Sequence, residues 1–114
     1  MNSYNRIADR YVFESRIMLR FCRGNQKFSV QGWARDLSES GLGAFVPENL
    51  VIGELVTLQI PIGSAGKEVI AAMVSRQVGT QCGFQFTALS AEQRLGIQAA
   101  LKGQTAIPYW HEST

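Results

Sequence analysis

Two arginines four positions apart, Arg6 and Arg10, stand just ahead of a strand-like run that starts at Tyr11. A guanidinium stays charged, presents donors in a planar fork that fits paired oxygens, and stacks on flat rings. Two together suit an anion. About 25 residues on, "DLSESG" supplies Asp36-x-Ser38-x-x-Gly41: a carboxylate, a hydroxyl and a glycine. Each element alone is ordinary. Paired arginines at this spacing arise by chance. Asp, Ser and Gly are turn residues, able to close an Asx turn, to cap and to take positive φ. The order is what informs: RxxxR directly before the first strand, DxSxxG directly after the second.

The charge distribution agrees with an anion site of limited size. The 114 residues carry a net charge of +2, but residues 1–35 hold +5 and the remainder −3. A nucleic-acid polymer calls for a broader basic face. Nor does the chain have an apolar run near the roughly 20 residues of a spanning helix, so membrane insertion is not expected. The start, "MNSYNRIADR", lacks a secretory pattern, which predicts a cytoplasmic protein. Cys22 and Cys82 belong to no CxxC or Cys/His cluster, so no metal is expected, and they read as reduced thiols with at least one in the core. The lone histidine, His111, sits in the tail, and Ser38 has no histidine near it in sequence. That leaves no nucleophile–base pair, and an enzyme is not expected.

The elements that must position these residues are mostly strands. Tyr11, Phe13, Ile17, Leu19 and Phe21 share one parity, with Glu14, Arg16 and Arg20 on the other, which is the period of a half-buried strand. "RGN" turns the chain, and "KFSVQGWAR", 27–35, returns it as a hairpin partner. "DLSESG" is expected to break that strand, "LGAFV" to form a short one, and "GELVTLQIPI", "KEVIAAMVSRQV" and "CGFQFTAL" three more. Ser90 and Gln93 have capping-box spacing, and "AEQRLGIQAALK" reads as one helix with apolar faces from Ala91, Leu95 and Ala99 and from the Ile97–Leu101 pair. Gly96 weakens it and Gly103 suits its end. The expected fold is mainly β: a small six-stranded antiparallel barrel with a C-terminal helix, in 114 residues that form one domain. Within it, 1–10 is a flexible arm, 11–102 the barrel and helix, and 103–114 a tail.

With both motifs in place, residues 6–101 resemble the PilZ domain family, receptors for the bacterial second messenger cyclic di-GMP. "GLGAF", "GELVTLQIPI" and "CGFQFTALS" look like the family's later strands, and Gly83 and Phe86 fit its G-x-x-F segment. The resemblance implies a non-enzymatic bacterial receptor or adaptor with no cofactor, a monomer or weak dimer, that signals to an unidentified protein effector in motility, pilus, exopolysaccharide or biofilm control. The alternative is an interaction module of the same fold that does not bind the nucleotide.

The ligand's chemistry suits these residues. Cyclic di-GMP has two phosphodiester charges and two guanines. Arginine meets guanine O6 and N7, or phosphate oxygens, and stacks on a base. The resemblance implies that Arg6 and Arg10 lie on an arm that orders around the ligand, clamping guanine and phosphate. Asp36, Ser38 and Gly41 form the fixed wall. Asp36 accepts from guanine N1–H and the 2-amino group. Ser38 donates to a phosphate or positions the loop, and Gly41 lets the ligand approach the backbone. Many members carry further basic residues beside the arginines, where this chain has Asn5 and Asp9. Asp9 either lowers affinity or faces solvent. On the "MVSR" strand, where members often carry an aromatic, stand Ser75 and Arg76. Arg76 is a substitute contact or a solvated strand arginine. Arg16, Arg20 and Arg35 read as exposed strand positions and Trp33 as barrel packing.

Overall fold

The computed structural model describes residues 9–107. Six strands come in chain order, β1 (Tyr11–Arg23), β2 (Gln26–Leu37), β3 (Gly41–Phe45), β4 (Leu55–Ile60), β5 (Glu68–Val78) and β6 (Gln81–Ala88), followed by helix α1 (Ala91–Leu101). They close into an antiparallel barrel in the spatial order β1-β2-β3-β6-β5-β4. Closure is made by β1 against β4, where Met18, Leu19 and Arg20 face Gln59, Leu58 and Thr57. A closed barrel leaves no unpaired edge to protect.

Alternation fills the interior. Ile17, Leu19 and Phe21 of β1 point inward, as their parity predicts, and meet Val56, Leu58 and Ile60 of β4 and Ile70, Ala72 and Val74 of β5. On β2 the inward positions include Gly32 and Ala34. This puts Trp33 outside, 45% exposed, and corrects its reading as barrel packing. Phe45 faces it across β3 and is also exposed. The reason lies at Gly32, where a Cβ would stand 2.9 Å from the Phe45 carbonyl oxygen, so the interior at this level holds no large β2 side chain.

Helix α1 has the expected capping box, with Ser90 Oγ accepting from the Gln93 amide and the Gln93 side chain accepting from the Ser90 amide. Its buried face differs from one expectation. Ala91, Leu95 and Ala99 are exposed, and the helix rests on Gly96, Ile97, Ala100 and Leu101. Gly96 is needed for this: a Cβ there would lie 3.3 Å from the Gly63 backbone. Fully burying Ile97 contributes about 2 kcal/mol.

At the barrel end away from the two motifs, Arg23 donates from Nε and Nη2 to the two Glu54 carboxylate oxygens at 2.9 and 3.1 Å. This pairing holds Glu54 below the usual carboxylate range. A carboxyl group with a lowered folded-state pKa adds stability above its unfolded pKa, and that share is lost as pH falls through the folded value. Glu54→Gln is therefore expected to flatten the loss of stability on acidification below about pH 4.5. Urea unfolding of both proteins between pH 3 and 7 checks this; parallel curves would remove the pair from the acid response.

Candidate functional site

Two irregularities in the ladders build the site. Between Ala34 and Asp36 the β2–β3 register slips by one residue, so Arg35 and Asp36 both turn outward while Leu37 returns to the core. Between Val74 and Arg76 the β5–β6 register slips in the same way, and Ser75 and Arg76 are both exposed. Bulges re-aim side chains, and these two re-aim theirs toward one trough. A single row crosses it: Asp36 faces Gly43, Gly43 faces Gly83, and Gly83 faces Arg76. The two middle positions have no side chain. The floor between Asp36 and Arg76 is bare backbone, at most about 14 Å across as three strand spacings.

The result is a cleft of about 310 Å³ lined by Arg10, Asp36, Ser38, Gly41, Ser75 and Arg76 among others. A continuation of about 200 Å³ shares Arg10, Asp36 and Arg76 and adds Arg35 and Ile107. Arg10 Nε stands 4.0 Å from Asp36 Oδ1, with both side chains partly exposed. Arg35 lies over the Phe45 ring at 4.9 Å. Three arginines and one carboxylate thus line the cleft and its continuation, an excess of positive charge suited to a dianion.

The expected site residues fall into three groups. Arg10, Asp36, Ser38, Gly41, Ser75 and Arg76 come together. Asp9 does not: it is exposed and lines a separate recess with Glu39, Gln98 and Lys102. Arg6, with residues 1–8 of the expected 1–10 arm, lies outside the described residues.

The DxSxxG segment breaks the strand as expected, but only over residues 38–40. Asp36 belongs to β2 and Gly41 opens β3, leaving a tight connection between them. Ser38 is buried, and its hydroxyl accepts from the Ser40 and Gly41 amides, both at 3.1 Å. The Ser38 amide donates to the Gly41 carbonyl at 2.9 Å. Of the two readings for Ser38, loop positioning is the one its partners describe. Gly41 uses no positive φ. A Cβ there would overlap the Phe84 carbonyl oxygen, so β6 by itself requires the glycine.

Sequence reasoning missed Gly43 and Gly83 as floor residues and Arg35 as a cleft residue. At Gly43 a Cβ would sit 2.7 and 2.8 Å from the Asp36 carboxylate oxygens, so the missing side chain is the space the carboxylate occupies. Glycines at outward parity on neighbouring strands were the available signal.

The PilZ domain family matches residues 4–103 of the chain. No curated protein sequence matches it closely enough to count as a relative. Among solved structures, it is similar to the PilZ domain of CeSA from a cellulose-synthesizing bacterium, at 18% identity and a TM-score of 0.63, over 82% of this chain and 95% of that one. It is also similar to the PilZ domain with c-di-GMP of YcgR from Escherichia coli, at 18% identity and a TM-score of 0.64, over 85% of this chain and 88% of that one. At this identity the two structures speak for the fold. With the family's sequence pattern running over almost its whole length, the chain belongs to the PilZ domain family, a family of cyclic di-GMP receptors.

Proposed function

We propose that this protein is a cyclic di-GMP receptor and that the cleft between Asp36 and Arg76 is its ligand site. One observation carries the reading: the Asp36–Gly43–Gly83–Arg76 row, with Arg10 above it, sets a carboxylate and two guanidiniums around a floor without side chains. A flat, doubly anionic ligand with guanine edges matches that arrangement. Arg10 and Arg76 meet phosphate oxygens or guanine O6 and N7, and Asp36 accepts from guanine N1–H and the 2-amino group. Arg6 joins from the preceding segment, and ordering of that segment is the change a protein effector senses. Ordering costs about 1–2 kcal/mol per residue, which tempers affinity. The protein acts in the bacterial cytoplasm as an adaptor in motility, pilus, exopolysaccharide or biofilm control, with no cofactor and no catalytic step.

The guanine edge gives a selective test. Titration with cyclic di-GMP is expected to show saturable binding, and cyclic di-AMP, which lacks the donors Asp36 reads, at least about 10-fold weaker binding. Equal affinity for both would remove Asp36 from base recognition.

Gly43→Ala probes the same carboxylate with little harm to the fold. The nearest atoms to the added methyl are those of the movable Asp36 carboxylate, so the fold yields cheaply but the carboxylate is displaced. The expected outcome is a melting temperature within a few degrees of the parent and an affinity about 10-fold weaker. Unchanged affinity would show that the carboxylate's position is immaterial.

A further inference from the structure

After α1 the chain returns to the cleft. Gly103, at φ 77°, turns it at the helix end, and the Gln104 amide donates to the Leu101 carbonyl at 3.1 Å. Residues 105–107 then run antiparallel to the start of β1. The Val12 amide donates to the Thr105 carbonyl at 2.9 Å, the Ile107 amide donates to the Arg10 carbonyl at 2.8 Å, and Tyr11 faces Ala106 as a bridge. On its other side the same stretch pairs with β2, Tyr11 with Leu37 and Val12 with Asp36. The register with β2 begins at Tyr11, one residue after Arg10. The backbone carbonyl of Arg10 is thus held from the C-terminal side. Ile107 lines the cleft's continuation with Arg10, Arg35, Asp36 and Arg76.

We infer that residues 105–107 are a clasp that positions Arg10 for its ligand, with Ile107 as the positioning residue. The affinity of the cleft for a guanine-bearing cyclic dinucleotide then depends on the C-terminal segment. The inference rests on the receptor reading above. Its physical basis is preorganisation: a charged side chain whose own carbonyl is held by Ile107 and whose next residue is paired with β2 loses less freedom when it binds. The clasp also joins the site to α1. Ile97 seats that helix in the core, and Gln93 Nε2 donates to the Val69 carbonyl at 2.9 Å. By linkage, a ligand that prefers a fixed Arg10 tightens the clasp to the same degree that the clasp tightens the ligand.

The test uses four variants of the full chain. Ile107→Pro removes the amide that holds Arg10, and Ile107→Val keeps it. One truncated chain ends at residue 104 and lacks the clasp; another ends at 107 and retains it. The readouts are calorimetric affinity for cyclic di-GMP, amide exchange at Val12, and the thermal midpoint as a check on folding. Ile107→Pro and the chain ending at 104 are expected to bind about 3- to 10-fold more weakly, with Val12 exchange at least about 10-fold faster. The chain ending at 107 is expected to stay within about 2-fold of the parent in both, and Ile107→Val, which keeps the amide, to lose clearly less affinity and Val12 protection than Ile107→Pro. Parental affinity and parental Val12 protection in the chain ending at 104 would overturn the clasp. So would an equal loss in Ile107→Val and Ile107→Pro, which would assign the effect to side-chain packing. If the parent protein itself does not bind, the receptor reading fails instead, and Val12 exchange alone then decides whether the clasp holds β1.

Discussion

Arg10→Ala is expected to weaken cyclic di-GMP binding by about 10-fold to over 100-fold while leaving the thermal midpoint nearly unchanged. Arg10 borders the cleft from the residue before β1, and its side chain is 33% exposed, so the barrel core does not depend on it. Toward the ligand it offers charge-assisted hydrogen bonds, each worth roughly 1.5–3 kcal/mol, and every 1.4 kcal/mol is about tenfold in affinity. Arg10→Lys separates charge from shape. It keeps the charge but loses the fork, so it should recover only part of the affinity. Asp36→Ala should match Arg10→Ala in magnitude, but for a different reason: it removes the acceptor that reads guanine. Calorimetry on the three variants, with thermal melts alongside, checks the whole set. Wild-type affinity in both alanine variants would place the ligand elsewhere.

Gly41→Ala is expected to act on the fold instead. Its Cβ would overlap the Phe84 carbonyl oxygen where β3 pairs with β6, with Gly41 facing Gln85 and Leu42 facing Phe84. Backbone cannot swing aside as a side chain can, so the strands must separate. Forced overpacking costs about 1–3 kcal/mol, and this contact belongs at the upper end. A loss of about 3 kcal/mol lowers the thermal midpoint by roughly 10–20 °C. The contrast with Gly43→Ala is diagnostic. Two glycines two residues apart, both on the outer face of β3, are expected to fail in different ways: Gly41 in stability, Gly43 in affinity. A midpoint for Gly41→Ala within a few degrees of the parent would show that the β3–β6 pairing relaxes more easily than its geometry implies.

Much of the fold was written in the period of the sequence. The odd-parity residues of β1 alternate cleanly, so the strand, its inward face and its hairpin partner were all legible. The six strands and the capped helix followed from turn residues and the Ser90–Gln93 spacing. The failures at the site share a cause. At the end of β2 and late in β5, one extra residue shifts the parity, and a simple alternation rule cannot see it. Asp36 therefore looked like a loop residue, although it is a strand residue turned outward by a bulge. Trp33 looked like core because large aromatics usually are, but Gly32 and Ala34 take the inward positions beside it. In the helix, Leu95 suggested the wrong face, because the packing is set by glycine at 96 meeting glycine at 63 rather than by the largest apolar side chain.

The site was legible as motifs but not as geometry. RxxxR and DxSxxG named Arg10, Asp36, Ser38 and Gly41, and the structure brings these four together with Ser75 and Arg76. What the motifs did not distinguish is which residue faces the cleft and which supports it. Ser38 spends its hydroxyl on its own turn, and Gly41 is required by Phe84. The floor glycines, Gly43 and Gly83, come from strands 40 residues apart in sequence, and only the barrel's strand order makes them neighbours.

The most direct measurement is calorimetric titration of the 114-residue chain with cyclic di-GMP at about 150 mM salt, a concentration that screens weak surface attraction. The account predicts saturable binding with a dissociation constant near a micromolar, about −8 kcal/mol, and a raised thermal midpoint in excess ligand. No heat of binding and no thermal shift at millimolar ligand would contradict it, and the cleft between Asp36 and Arg76 would then belong to a barrel that serves protein partners alone.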